Sequence, residues 1–184
     1  NQRRQQPRVR LFEIGRKFRV DDSGTLHEIP VVAGLAAGPA LAEQWGVPAT
    51  EIDFFDVRAD LEALFRATGA ADDFSFAPGE HPALHPGQTA RILRDGKPVG
   101  WLGRLHPEVA RRLELTYSAL VFEIETESGL EADVPRFAGI SRFPAVRRDL
   151  ASLVADPVPV QALVDTVRAG AGALLTGLVV FDIY

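Results

Sequence analysis

Ser141-Arg142-Phe143-Pro144-Ala145-Val146-Arg147-Arg148-Asp149-Leu150 divides the chain into two folding units. Pro144 fixes its own φ and pushes Phe143 into an extended conformation, so neither a helix nor a central strand is expected to run through this point. Beyond it, Leu150, Ser152, Leu153, Val154 and Ala155 form an apolar run of strand length, and Asp156-Pro157 ends it. Charge also reverses here. Residues 123–133 carry Glu123, Glu125, Glu127, Glu131 and Asp133, whereas residues 136–148 carry Arg136, Arg142, Arg147 and Arg148 with no acid.

At 184 residues and 46% apolar content, the chain can build one large or two modest cores. A net charge of −5 argues against non-specific coating of nucleic acid and leaves residues 142–148 as the one local patch suited to phosphate. Cysteine is absent, which excludes disulfides, thiolate catalysis and sulfur-based zinc sites, and fits a reducing cytoplasm. The longest uncharged run, residues 29–42, is broken by Pro30, Gly34, Gly38 and Pro39 and is too short to span a bilayer. It reads as buried strand and turn. The chain opens on Asn1 without a signal segment and stops in mid-pattern at Val180-Phe181-Asp182-Ile183-Tyr184, as an excised fragment would.

In the first unit, Val9, Leu11, Phe12, Ile14, Phe18 and Val20 predict a long strand over 8–20, with Gly15 at a bulge or a close backbone approach. Asp21-Asp22-Ser23-Gly24 then turns the chain into a second strand over 28–35, giving an antiparallel hairpin. Val57, Leu61, Leu64 and Phe65 form one helical stripe, with Asp56 as the expected cap and Gly69 at its end. Residues 73–76 read as a short strand. Asp95-Gly96 marks a hairpin between the apolar runs Ala90, Ile92, Leu93 and Val99, Trp101, Leu102, Leu105. Pro107 opens a short helix through Val109 and Leu113, and 119–124 is a further strand. The fold class is therefore α+β, an antiparallel sheet with flanking helices. In the second unit, strand 150–155, a helix through Val160, Leu163, Val164 and Val167 ending at Gly170 and Gly172, and strand 178–184 make the opening half of a split βαβ fold.

Known chemical motifs are missing. Gly170-Ala171-Gly172 ends a helix where a dinucleotide-binding turn must follow a strand, and Gly96-Lys97 lacks the upstream loop of a phosphate-binding motif. No nucleophile elbow surrounds Ser141. His81, His85 and His106 form the one constellation that a metal-dependent hydrolase could use, but Pro82 and Pro86 oppose the helix that would align the first two. The competing reading is structural, with imidazoles bonded to turn backbone. Arg142, Arg147 and Arg148 can grip phosphates in bidentate fashion, or pair with Asp149 and the preceding acidic segment. Phe137, Phe143 and Trp101 can stack on bases or pack.

Five phrases in order carry a resemblance along nearly the whole chain. They are Arg10-Leu11-Phe12-Glu13-Ile14-Gly15-Arg16; Asp53-Phe54-Phe55-Asp56-Val57-Arg58 with Asp60-Leu61-Glu62; His81-Pro82-Ala83-Leu84-His85-Pro86-Gly87-Gln88; Gly100-Trp101-Leu102-Gly103-Arg104-Leu105-His106-Pro107-Glu108; and Arg142-Phe143-Pro144-Ala145-Val146-Arg147-Arg148-Asp149-Leu150. Together they resemble the C-terminal part of the bacterial phenylalanine–tRNA ligase β-subunit family.

That resemblance implies a class II synthetase-like module without chemistry over residues 1–135, beginning just after the subunit-interface helix. Residues 140–184 are implied to be the first half of a ferredoxin-fold anticodon-binding domain, with Phe181-Asp182-Ile183-Tyr184 as its second strand. It further implies an α subunit that carries catalysis, a heterotetramer of two α and two β chains, and tRNA(Phe) as the nucleic-acid partner. ATP and magnesium belong to the whole enzyme and not to this segment, which has no G-x-G-x-G-x-x-R run. No catalytic or metal residue is expected here, and Arg142, Arg147 and Arg148 are the tRNA candidates. Strands 150–155 and 178–184 are expected to expose unpaired backbone unless a third strand fills the gap between them. A protein-interaction module with no tRNA role is the remaining alternative.

Overall fold

In the computed structural model, which describes residues 6–132, 137 and 142–182, the apolar alternation of the first unit becomes one long hairpin. Strands β1 (Val9–Val20) and β2 (Leu26–Ala37) pair antiparallel over their full length, from Val9 opposite Ala37 to Val20 opposite Leu26. The ladder is unbroken across Gly15, and a side chain there would meet only the Glu13 carboxylate at 3.8 Å. Gly15 is therefore neither a bulge nor a close approach. The close approach falls one strand over, at Gly34, where a Cβ would lie 2.4 Å from the Phe122 ring.

Strands β3 (Phe74–Pro78), β4 (Leu84–Arg94), β5 (Lys97–Leu105) and β6 (Ala119–Glu125) complete a six-stranded antiparallel sheet in the order β1-β2-β6-β5-β4-β3. Asp95 (φ 49°) and Gly96 (φ 74°) both adopt positive φ, as a type I′ turn requires. The Asp-Gly pair made that hairpin legible in advance.

Helix α1 (Phe54–Ala67) starts three positions earlier than a cap at Asp56 would place it, because its cap is Asp53. Asp53 Oδ1 accepts from the N–H groups of Phe55 (2.8 Å) and Asp56 (3.1 Å), while the Asp56 carboxylate accepts from the Asp53 N–H (2.8 Å). This reciprocal pair satisfies more orphan donors than Asp56 could alone. Gly69, at φ +79°, follows the helix end as expected. Val57, Leu61 and Phe65 sink into a core with Ile92, Leu102, Leu120 and Ile124. Short helices α2 (Pro107–Arg112) and α3 (Thr126–Gly129) follow β5 and β6.

The second unit contains α4 (Val160–Ala171), which ends at Gly172 with φ +51°. The strands expected over 150–155 and 178–184 are not formed among the described residues. Extended apolar segments become strands only when a neighbour takes up their backbone groups, and neither segment has one here. Leu150 and Leu153 are accordingly exposed. Ile183 and Tyr184 lie outside the described residues.

At the tip of the first hairpin, Asp21 Oδ1 accepts from the Ser23 hydroxyl (2.6 Å), the Ser23 N–H (2.9 Å) and the Thr25 N–H (3.0 Å), and Oδ2 contacts His27 Nε2 at 2.7 Å. The Ser23 hydroxyl first, then His27 and the Thr25 N–H, hold this carboxyl well below the usual carboxylate range. A lowered folded-state pKa means that the contribution is complete above the ordinary carboxylate value, and it is lost as pH falls through the folded one. NMR titration of Asp21 should thus show a midpoint well below ~4, and Ser23→Ala should raise it; a midpoint near 4 in both proteins would contradict this arrangement. Phe65→Ala should destabilise the first unit by ~3–5 kcal/mol in chemical denaturation, and a loss under ~1 kcal/mol would show that α1 is not seated as described.

Candidate functional site

Residues 142–150 run without regular structure through an exposed segment. Pro144 is the local reason, since it removes a donor and fixes φ. Arg142, Arg147 and Arg148 are all exposed. Among the described residues the only ion pair in the segment is Arg147 Nε to Asp149 Oδ1 at 3.7 Å, between side chains 88% and 67% exposed. Such a pair is loose and screened by water. Three arginines against one aspartate leave the segment with a net +2 over 142–149. Phe143 is 85% exposed beside them. Chemically, this is a flexible-reach set of guanidinium groups able to meet phosphate oxygens.

The acidic segment is occupied elsewhere. Lys17 Nζ lies 2.8 Å from Glu123 and 3.0 Å from Glu125. Burial pulls the ammonium's pKa down, and the hydrogen bonds from the two glutamates more than offset it, so the net shift is upward. Arg94 reaches the Glu131 backbone carbonyl at 3.1 Å. Within residues 142–149, the pairing of arginine with acid is the one between Arg147 and Asp149. Asp133, Arg136 and Ser141 lie outside the described residues.

The histidines do structural work. His81 Nδ1 accepts from the Ala83 N–H (3.2 Å), and its ring lies 5.2 Å from the Trp101 ring. His106 caps α2, with Nδ1 accepting from the Glu108 N–H at 3.2 Å. His85 sits in β4 with a buried, unpartnered Nδ1. Among the described residues no three His, Cys, Asp or Glu side chains gather as a metal site. Trp101 packs against Arg91, whose guanidinium carbon is 4.8 Å from the ring centroid, so it is a packing residue on the sheet.

One large aromatic side chain lies outside every motif. Trp45 is 99% exposed in the loop between β2 and α1. The available signal was a large aromatic placed between Glu43 and the turn residues Gly46 and Pro48, where no apolar stripe could bury it.

No helix among the described residues is long and apolar enough to cross a membrane. Residues 1–126 match the family described as phenylalanyl tRNA synthetase beta chain CLM domain, and residues 141–184 match the ferredoxin-fold anticodon binding domain. The phenylalanine–tRNA ligase β subunit of Pseudomonas syringae pv. tomato is 48% identical over the whole chain, and that of Methylococcus capsulatus is 46% identical. In both cases the chain spans 23% of the relative's length. A pyrrolysyl-tRNA synthetase from Desulfitobacterium hafniense aligns over 68% of this chain and 42% of its own, at a TM-score of 0.47 and 15% identity, too distant to speak to the fold. On the family match and the identity along all 184 residues, the chain belongs to the phenylalanyl-tRNA synthetase β-chain family.

Proposed function

We propose that this chain is a non-catalytic structural part of a phenylalanine–tRNA ligase, supporting attachment of phenylalanine to tRNA(Phe). In this reading residues 1–135 are a class II synthetase-like module that scaffolds the α subunit within a heterotetramer of two α and two β chains in the cytoplasm. Residues 140–184 are the first half of the anticodon-binding domain, and Arg142, Arg147 and Arg148 meet the tRNA backbone. The observation that carries the proposal is the pair of family matches, the second of which begins at residue 141, one position before Arg142.

Physical chemistry supports the division of labour. ATP and magnesium serve the whole enzyme in this reading. The sheet's Lys17 is shared by Glu123 and Glu125, a cluster of net negative charge that would repel a triphosphate. The exposed segment 142–149, by contrast, is net positive, and its three arginines are open to solvent and can turn to single-stranded phosphates, the Arg147–Asp149 pair being loose.

In the complete enzyme, replacing Arg142, Arg147 and Arg148 together by Gln should weaken tRNA(Phe) binding. It should also flatten the dependence of log K on log salt by ~0.7 per lost phosphate contact. Unchanged affinity and slope would remove these arginines from the interface. Purified alone, the chain should show no phenylalanine-dependent pyrophosphate exchange, and measurable exchange would overturn its assignment as non-catalytic.

A further inference from the structure

Strand β1 ends the sheet, is 12 residues long, and among the described residues has no strand on its outer edge. Its pairing with β2 fixes where its backbone groups point. Just beyond the two strands the Asp21 N–H donates to the Thr25 carbonyl (3.0 Å), and within them Pro30, which has no N–H, stands opposite Arg16. Odd-numbered residues of β1 therefore bond to β2, while Arg10, Phe12, Ile14, Arg16, Phe18 and Val20 turn their N–H and carbonyl groups outward. Such an edge is ordinarily blunted by proline, a bulge or shortness. β1 has none of these, since its ladder with β2 is continuous from Val9 to Val20.

Most of the charge on the strand is settled within the chain. Arg10 pairs with Asp60, Arg16 with Glu28, and Lys17 with Glu123 and Glu125. Glu13 and Arg19 remain exposed on one face, and neither has an ion pair among the described residues. On the opposite face Phe12, Ile14 and Phe18 are exposed.

This pattern is complementary to itself about Gly15. Let a second copy lie antiparallel along the edge with Gly15 on the two-fold axis. Phe12 then stands opposite Phe18 of the second copy, Ile14 opposite its Arg16, and Glu13 opposite its Lys17 with its Arg19 on the diagonal. The first two pairs join outward-facing residues, so their backbones exchange hydrogen bonds. Gly15 meets Gly15 in a pair without such bonds, where strands approach most closely, and brings no side chain to the axis. Neighbouring axes lose this match. An axis at Arg16 sets that guanidinium against itself, and one at Ile14 sets Phe12 against Arg16.

We propose that this chain self-associates as a two-fold dimer through the outer edge of β1, with Gly15 on the axis, so that two sheets join into one. The bare Glu13 and Arg19 of each copy then meet their opposites on the other, and the exposed Phe12 and Phe18 rings cover one another.

The chain has no cysteine, so Gly15→Cys places a single thiol on the axis. Facing Cα atoms in that kind of pair lie ~4.5 Å apart, within the span a disulfide bridges. Mild oxidation should convert Gly15→Cys to a covalent dimer at least about 10-fold faster than Leu11→Cys, whose thiols would stand ~25 Å apart. Ile14→Pro deletes an outward donor and leaves the β1–β2 ladder whole, so in sedimentation equilibrium it should weaken dimerisation by about 10-fold or more. Glu13→Lys should weaken it through like charges. A wild-type chain that stays monomeric at concentrations on the order of 100 µM would overturn the proposal. A dimer in which Leu11→Cys cross-links as fast as Gly15→Cys would do the same, because another surface or register would then hold it. In the longest polypeptide the gene encodes, an edge already covered by another segment or by a companion subunit would leave Gly15→Cys unlinked, and that result would also sink it.

Discussion

Burial of one helical stripe against one set of cross-strand rows is the constraint on which the first unit depends. Val57, Leu61 and Phe65 can leave water only by resting on a surface that the sheet supplies through pairing, and that surface exists only in one register. Ile92, Gly100, Ile124, Val32 and Ile14 fall in one row across five strands, and Ala90, Leu102, Phe122, Gly34 and Phe12 fall in the next. A slip of one residue would turn both rows to the opposite face. Gly100 makes the first row possible, since a Cβ there would lie 2.2 Å from the Glu123 carbonyl oxygen.

Those rows run further than their cover. Ile92 and Ile124 are completely buried, whereas Ile14 and Phe12, at the β1 end of the same rows, are 70% and 77% exposed. The helix is one element wide and the sheet is six strands wide, so the edge hairpin is held by its ladder and by ion pairs more than by a core. Arg10 to Asp60, Arg16 to Glu28, and Lys17 to Glu123 and Glu125 tie β1 to its neighbours.

The two units illustrate opposite outcomes of similar patterns. Residues 119–124 and residues 150–155 are both apolar runs of strand length, and only the first becomes a strand. The first finds β2 on one side and β5 on the other. The second has no neighbour among the described residues. Helix α4, whose bonds are internal, forms regardless, even though none of its residues is buried. Helical hydrogen bonds are local, whereas a ladder needs a second chain segment.

By itself, the sequence determined the elements whose signals are local. The Asp95-Gly96 hairpin, the 3.6-residue stripe of α1, Pro107 at the start of α2 and the Gly172 end of α4 were all legible, because each depends on neighbouring residues alone. So was the family, from phrases that only shared descent keeps in order. Tertiary structure decided what non-local partners decide. It chose Gly34 over Gly15 as the close approach, Lys17 as the partner of Glu123 and Glu125, and solvent as the surroundings of Trp45. In each case the residue type allowed two fates, and the choice lay in which groups the folded sheet brought within hydrogen-bond or van der Waals reach.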